Sequence, residues 1–98
     1  MAILSFRDTA TEDINYARRS KAARACLPAP LHRKAMVKLA RLHAATSLAD
    51  LADLPGNRLE KLSGDRAGQH SIRLNDQYRI CFIWTELGAE LVGIVDYH

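Results

Sequence analysis

Cysteine is scarce, and what there is stands apart. Cys26 and Cys81 are the only two and share no CxxC spacing, so neither a disulfide framework nor a zinc motif is legible. They suit reduced thiols in a cytosolic protein. His32, His43, His70 and His98 form no ligand pattern with them, and no metal or other cofactor is expected. No apolar run approaches the roughly 20 residues that a membrane span needs, and the opening MAILSFRDTA lacks a basic region followed by a long apolar stretch. A cytoplasmic protein without a membrane partner is therefore expected. Low-complexity tracts, repeats and Ser/Gly/Pro-rich linkers are missing as well, which excludes a disordered chain. Aromatic residues are only 6% of the total, so Leu, Ile, Val and Ala must fill the core. With 48% hydrophobic residues in 98, they suffice for one domain spanning residues 1–98.

Acidic residues are absent from Ile14 to Ala49, where eight basic ones occur: Arg18, Arg19, Lys21, Arg24, Arg33, Lys34, Lys38 and Arg41. Five more, Arg58, Lys61, Arg66, Arg73 and Arg79, follow between Asn57 and Arg79. A net charge of +3 is modest, but clustering of this kind suits a polyanion such as RNA, or an acidic protein. The plainer alternative is a set of solvated helix faces, above all for Lys34, Lys38 and Arg41.

Ile3–Phe6 is apolar enough for an opening strand. Asp8 or Thr9 caps a helix that runs toward Arg24 and is broken by Pro28 and Pro30. A second helix follows from Leu31 to about Ala45, with Leu31, Ala35, Leu39 and Leu42 at helical spacing, and Ser47–Leu51 forms a further short turn. Beyond Pro55-Gly56-Asn57 the period falls to two. Extended segments are predicted around Arg58–Leu62, over Gln69–Leu74, over Tyr78–Trp84 and over Leu91–Tyr97, with turns at Gly64–Gly68, Asn75-Asp76 and Glu86–Gly88. Helices followed by antiparallel strands predict an α+β fold with the helices on one sheet face and the other face free for a site.

Arg73 and Arg79 flank the Asn75-Asp76 turn, so a hairpin symmetric about Asp76 sets them directly opposite each other. Two opposed guanidinium groups repel unless an anion lies between them, and a phosphate fits their planar donors. Alternatively Asp76, Asp96 or Glu60 satisfies them. The closing Asp96-Tyr97-His98 offers an acid, a phenol and an imidazole for proton transfer; the alternative is a frayed polar end.

Longer strings carry more. Pro55–Leu62, Gly64–Arg73, Asn75–Phe82 and Ile94–His98 follow one another in an order that resembles the HigB-type toxins of the RelE superfamily, and Ser5–Asp8 extends the similarity over nearly the whole chain. The resemblance implies a RelE-like fold, a curved antiparallel sheet with an N-terminal strand and two helices on one side. It implies metal-independent, ribosome-dependent cleavage of mRNA, with inhibition of translation. It also implies neutralisation by a HigA-type helix-turn-helix antitoxin, through which alone DNA is contacted. Residue by residue it assigns catalysis to Arg73, Arg79, Asp96, Tyr97 and His98, and RNA binding to Arg58, Lys61, Arg66 and His70. His70 stands where many relatives carry tyrosine, Tyr78 where many carry tryptophan, and relatives often continue past the position of His98. The alternative is a module of the same fold that binds ribosome or antitoxin and cuts weakly. A DNA-binding regulator is disfavoured, since Ile14–Ala45 holds no helix-turn-helix pattern.

Overall fold

The computed structural model describes residues 2–96. A five-stranded sheet in the order β1-β5-β4-β3-β2 forms one layer, and four helices inserted between β1 and β2 form the other. The strands are β1 (Ala2–Ile3), β2 (Glu60–Lys61), β3 (His70–Arg73), β4 (Tyr78–Thr85) and β5 (Gly88–Asp96). The helices are α1 (Thr9–Asn15), α2 (Lys21–Cys26), α3 (His32–Ala44) and α4 (Leu48–Ala52). The α+β class expected from sequence is what is found. The sheet, however, is mixed, because β1 runs parallel to β5 while every other pairing is antiparallel.

The helix expected to run from Asp8 to Arg24 is two. Asp8 Oδ1 accepts from Thr11 N and starts α1, while Ser20 Oγ accepts from Ala23 N and starts α2. Between them Ala17 takes a left-handed φ of 59°, a conformation costly outside glycine. Asp13 holds the break: its carboxylate accepts from Ser20 Oγ at 2.6 Å and from Arg18 Nη1 at 3.3 Å, and it is almost wholly buried. α3 is the long amphipathic helix expected; Ala35, Leu39 and Leu42 are buried against the sheet. They meet Ile72, Ile80, Phe82, Val92 and Ile94 from β3, β4 and β5 in a single core.

β5 begins at Gly88, earlier than Leu91, because Thr85 Oγ1 accepts from the backbone N–H groups of both Leu87 and Gly88 and closes a tight hairpin. Register then slips at a bulge. Cys81 faces Gly93 and Ile83 faces Glu90, so Phe82 alone stands against Leu91 and Val92, and Leu91 takes φ 51°. The N-terminal segment fills this bulge: Ser5 Oγ accepts from Leu91 N, Ser5 O from Val92 N, and Arg7 N donates to Val92 O. The bulge thus anchors β1 and aims Arg7 across the sheet.

Candidate functional site

The site is built on the β3–β4 hairpin. Asn75 Oδ1 accepts from Gln77 N at 2.9 Å and from Tyr78 N at 2.8 Å, which fixes the turn. The register that results pairs Arg73 with Arg79, Ser71 with Cys81 and Ile72 with Ile80. Directly opposed residues share a sheet face, so Ser71, Arg73, Arg79 and Cys81 lie on one face while Ile72 and Ile80 enter the core. Glu60, paired with Ser71, joins the first group. The opposition of Arg73 and Arg79 anticipated from their spacing is observed.

The two arginines are held differently. Arg79 is buried, with its Nε donating to Ser71 Oγ at 2.7 Å and its Nη2 to Arg58 O at 2.5 Å. Glu60 Oε2 stands 3.9 Å from Nη2, too far for a hydrogen bond. Arg73 is half-exposed and hydrogen-bonds Asp76, whose side chain is almost entirely in water. Such an exposed pair is weak. Arg58, Glu60, Arg73, Asn75, Asp76 and Arg79 together line a shallow cleft of about 270 Å³. Three guanidinium groups against two carboxylates leave the cleft positive.

The positive face continues along the sheet. Burial pushes the Cys81 thiol pKa up, while Arg66, Arg79 and Arg7 act on it in the opposite sense. All three cations therefore act on one buried position of the open face. Arg66 acts from the short turn Gly64–Arg66. Arg7 reaches it by lying over Gly93, where a Cβ would meet the Arg7 side chain at 3.0–3.1 Å. Arg7 was not anticipated. Its signal was Gly93 itself, a residue without a side chain in an apolar strand, which marks close approach by another group.

Two RNA-binding candidates lie elsewhere. His70 and Lys61 pair across β3 and β2, one register step from Ser71 and Glu60, and so point to the opposite face. The His70 ring stacks on Phe82 with centroids 6.2 Å apart and an interplanar angle of 21°, and its pKa is lowered by burial and then by Lys61. The structure does not bring these two into the arginine cleft. Asp96 pairs with Tyr78 beside the Arg79–Val95 pair and accepts from Gln77 Nε2 at 3.0 Å, at the hairpin end of the sheet. Tyr97 and His98 lie outside the described residues.

Beneath the cleft, Lys38 of α3 is buried, and its Nζ donates to Asn57 Oδ1 at 2.6 Å. Its pKa is lowered, first by burial and then by Lys34, Arg41, Arg73 and Arg79. Neither Lys38 nor the fully buried Asn57 was singled out as a site residue from sequence.

Comparison with known proteins agrees with this picture. Residues 5–98 match the family model of the HigB-like toxins, described as RelE-like toxins of the type II toxin–antitoxin system HigB. A curated relative, Toxin HigB-1 of Vibrio cholerae serotype O1, is 40% identical over 72 residues, which cover 74% of this chain and 75% of the relative. A chain matched over nearly its whole length, with a helical layer on one face of a mixed sheet and a row of arginines on the other, belongs to the HigB-like, RelE-like toxins of type II toxin–antitoxin systems.

Proposed function

We propose that this toxin is a ribosome-dependent endoribonuclease that cuts mRNA and so arrests translation in the cytoplasm, and that its neutralising partner is a HigA-type helix-turn-helix antitoxin. DNA then enters only through that antitoxin. The observation that carries the reading is the direct cross-strand opposition of Arg73 and Arg79 in one positive cleft.

RNA supplies its own nucleophile in the ribose 2′-OH. An enzyme must align that hydroxyl, stabilise the charge that builds on the phosphorus-bound oxygens, and protonate the departing 5′-oxygen. Arg79, fixed by Ser71 and Arg58, is the preorganised donor for the transition-state phosphate. Arg73 opposite it, freed from Asp76, closes on the other phosphate oxygens. Arg58 and Arg66, together with Arg7, hold neighbouring phosphates along the face; Lys61 and His70 contact RNA or ribosome from the other side of the strands. Asp96, at the hairpin end of the sheet, and Tyr97 and His98, which follow it in sequence, supply proton transfer.

The test is primer extension on a defined message in a purified translation system. Cuts that appear only while ribosomes translate, and that disappear with Arg79→Lys and His98→Ala in folded protein, are the expected outcome. Ribosome binding without cuts would replace the reading with that of a binding module.

A further inference from the structure

The arginine cleft rests on two consecutive residues that belong to no strand, Asn57 and Arg58. Asn57 O accepts from Arg73 N at 2.6 Å, and Arg58 O accepts from Arg79 Nη2 at 2.5 Å. The backbone of one short stretch thus anchors both arginines, Arg73 by its main chain and Arg79 by its guanidinium. Arg58 has φ 44°, so the stretch is turned into a sparsely populated conformation that its surroundings must hold.

The hold comes from the Asn57 side chain. Its Nδ2 donates to Leu51 O at 3.0 Å, at the end of α4, and its Oδ1 accepts from Lys38 Nζ at 2.6 Å. The Lys38 ammonium is buried, and no carboxylate stands within 4.0 Å of it among the described residues. Lys34 and Arg41 on its own helix, and Arg73 and Arg79 on β3 and β4, all act on it with like charge. A buried, uncompensated cation costs folding energy. A methionine of similar length would fill the same space without that cost, so packing does not account for a lysine here.

We propose that Lys38, acting through Asn57, is a positioning residue for Arg79: it sets the Asn57–Arg58 turn whose carbonyls hold the two arginines in register for the phosphate. The role of Arg79 in cleavage rests on the reading given under the proposed function; the linkage from α3 to the Arg79 guanidinium does not. Lys38 touches no substrate in this scheme. Its effect falls on kcat more than on ribosome affinity, because Arg66 and Arg7, which capture RNA outside this turn, stay in place. A misplacement on the order of 1 Å at a reacting group can cost about 100-fold.

The experiment uses the full chain and two readouts. Lys38→Met removes the donor and the buried charge together, and Lys38→Arg restores a donor. In the translation assay Lys38→Met is expected to lower kcat roughly 10- to 100-fold with KM for the programmed ribosome unchanged within about twofold, and Lys38→Arg to recover part of the loss. In parallel, 15N NMR follows the Arg79 Nε–H, assigned by its disappearance in Arg79→Lys. Held by Ser71 Oγ, it is expected to exchange slowly in the parent protein and to shift and exchange faster in Lys38→Met. An unchanged Arg79 signal in folded Lys38→Met, or unchanged kcat, overturns the proposal. Should the parent protein cut no message, the cleavage reading falls, and the NMR comparison still decides whether Lys38 positions Arg79.

Discussion

Replacing Arg73 with glutamine should make the free protein more stable while it weakens the site. Arg73 and Arg79 are directly opposed on adjacent strands, and both act on Lys38 as like charges. Directly opposed residues carry their Cβ atoms about 5 Å apart, and unit charges on the order of 6 Å apart repel by at most ~0.7 kcal/mol at the dielectric constant of water and ~2.8 kcal/mol at an effective value of 20, less as the two guanidinium groups turn to different partners. With Arg79 buried and Arg73 half-exposed, the cost lies between these limits. The interaction that glutamine forfeits is the pair with Asp76, whose side chain is 98% exposed. Exposed pairs contribute about 0–1 kcal/mol. The backbone bond from residue 73 to Asn57 O is retained. The net expectation is a gain of about 1 kcal/mol, which for a domain of this size raises Tm by roughly 4–8 °C. Thermal melts at low ionic strength, with and without inorganic phosphate, measure this. Phosphate should stabilise the parent protein and do so less for Arg73→Gln, because an anion bound between the two arginines stabilises only the folded form. A variant that melts below the parent at low salt, or a phosphate shift equal in both proteins, would refute the argument that the site is held against its own repulsion.

Gly88→Ala should be among the most damaging single changes. Gly88 has φ 145°, and a Cβ there would lie 2.0 Å from Ala2 O, so the parallel β1–β5 pairing must part; a loss of at least about 2–3 kcal/mol in urea unfolding is expected. Gly93→Ala should displace Arg7 instead: the nearest atoms to the new methyl are Arg7 Cδ at 3.0 Å and Cβ at 3.1 Å, and Cβ is tied to a backbone that bonds Val92. RNA affinity measured by filter binding should therefore fall, and stability should fall with it, by less than in Gly88→Ala. The third concerns acid. His70 has a folded-state pKa below its ordinary value of 6.5, so the unfolded chain takes up a proton first as pH falls. No penalty exists well above 6.5. Stability is lost as pH drops from about 6.5 through the lowered folded value. Urea midpoints between pH 7.5 and 5 should therefore fall more steeply for the parent protein than for His70→Tyr.

What the sequence made legible was what short-range chemistry decides. The Asn75-Asp76 turn, the alternation on either side of it and the apolar period of α3 depend on neighbours a few residues away. They sufficed to put Arg73 opposite Arg79 from the sequence alone. The misread elements depend on distant partners. The chain from Tyr16 to Ser20 contains neither glycine nor proline, and the α1–α2 break survives because Asp13 reaches Ser20 and Arg18. Nor does anything local say that β1 runs parallel to β5, since that direction follows from Ser5 and Arg7 bonding into a bulge more than eighty residues later.

The same division explains which residues of the positive face the sequence brought forward. Arg58, Arg66, Arg73 and Arg79 stood out by charge and spacing. Lys38 looked like one more basic residue on a helix surface, and only its burial against Asn57 separates it from Lys34 and Arg41, which stay exposed. Arg7 was hidden in the first strand region and is recognisable only through the missing side chain at Gly93. In both cases the informative feature is a violated local rule: a cation where an apolar residue would pack better, and a glycine where a β-branched residue would. A strand or helix position that is locally suboptimal yet fully packed is where a distant group has been fitted in, and here both lead toward Arg79, Lys38 through the Asn57–Arg58 turn and Gly93 through Arg7, which acts with Arg79 on Cys81.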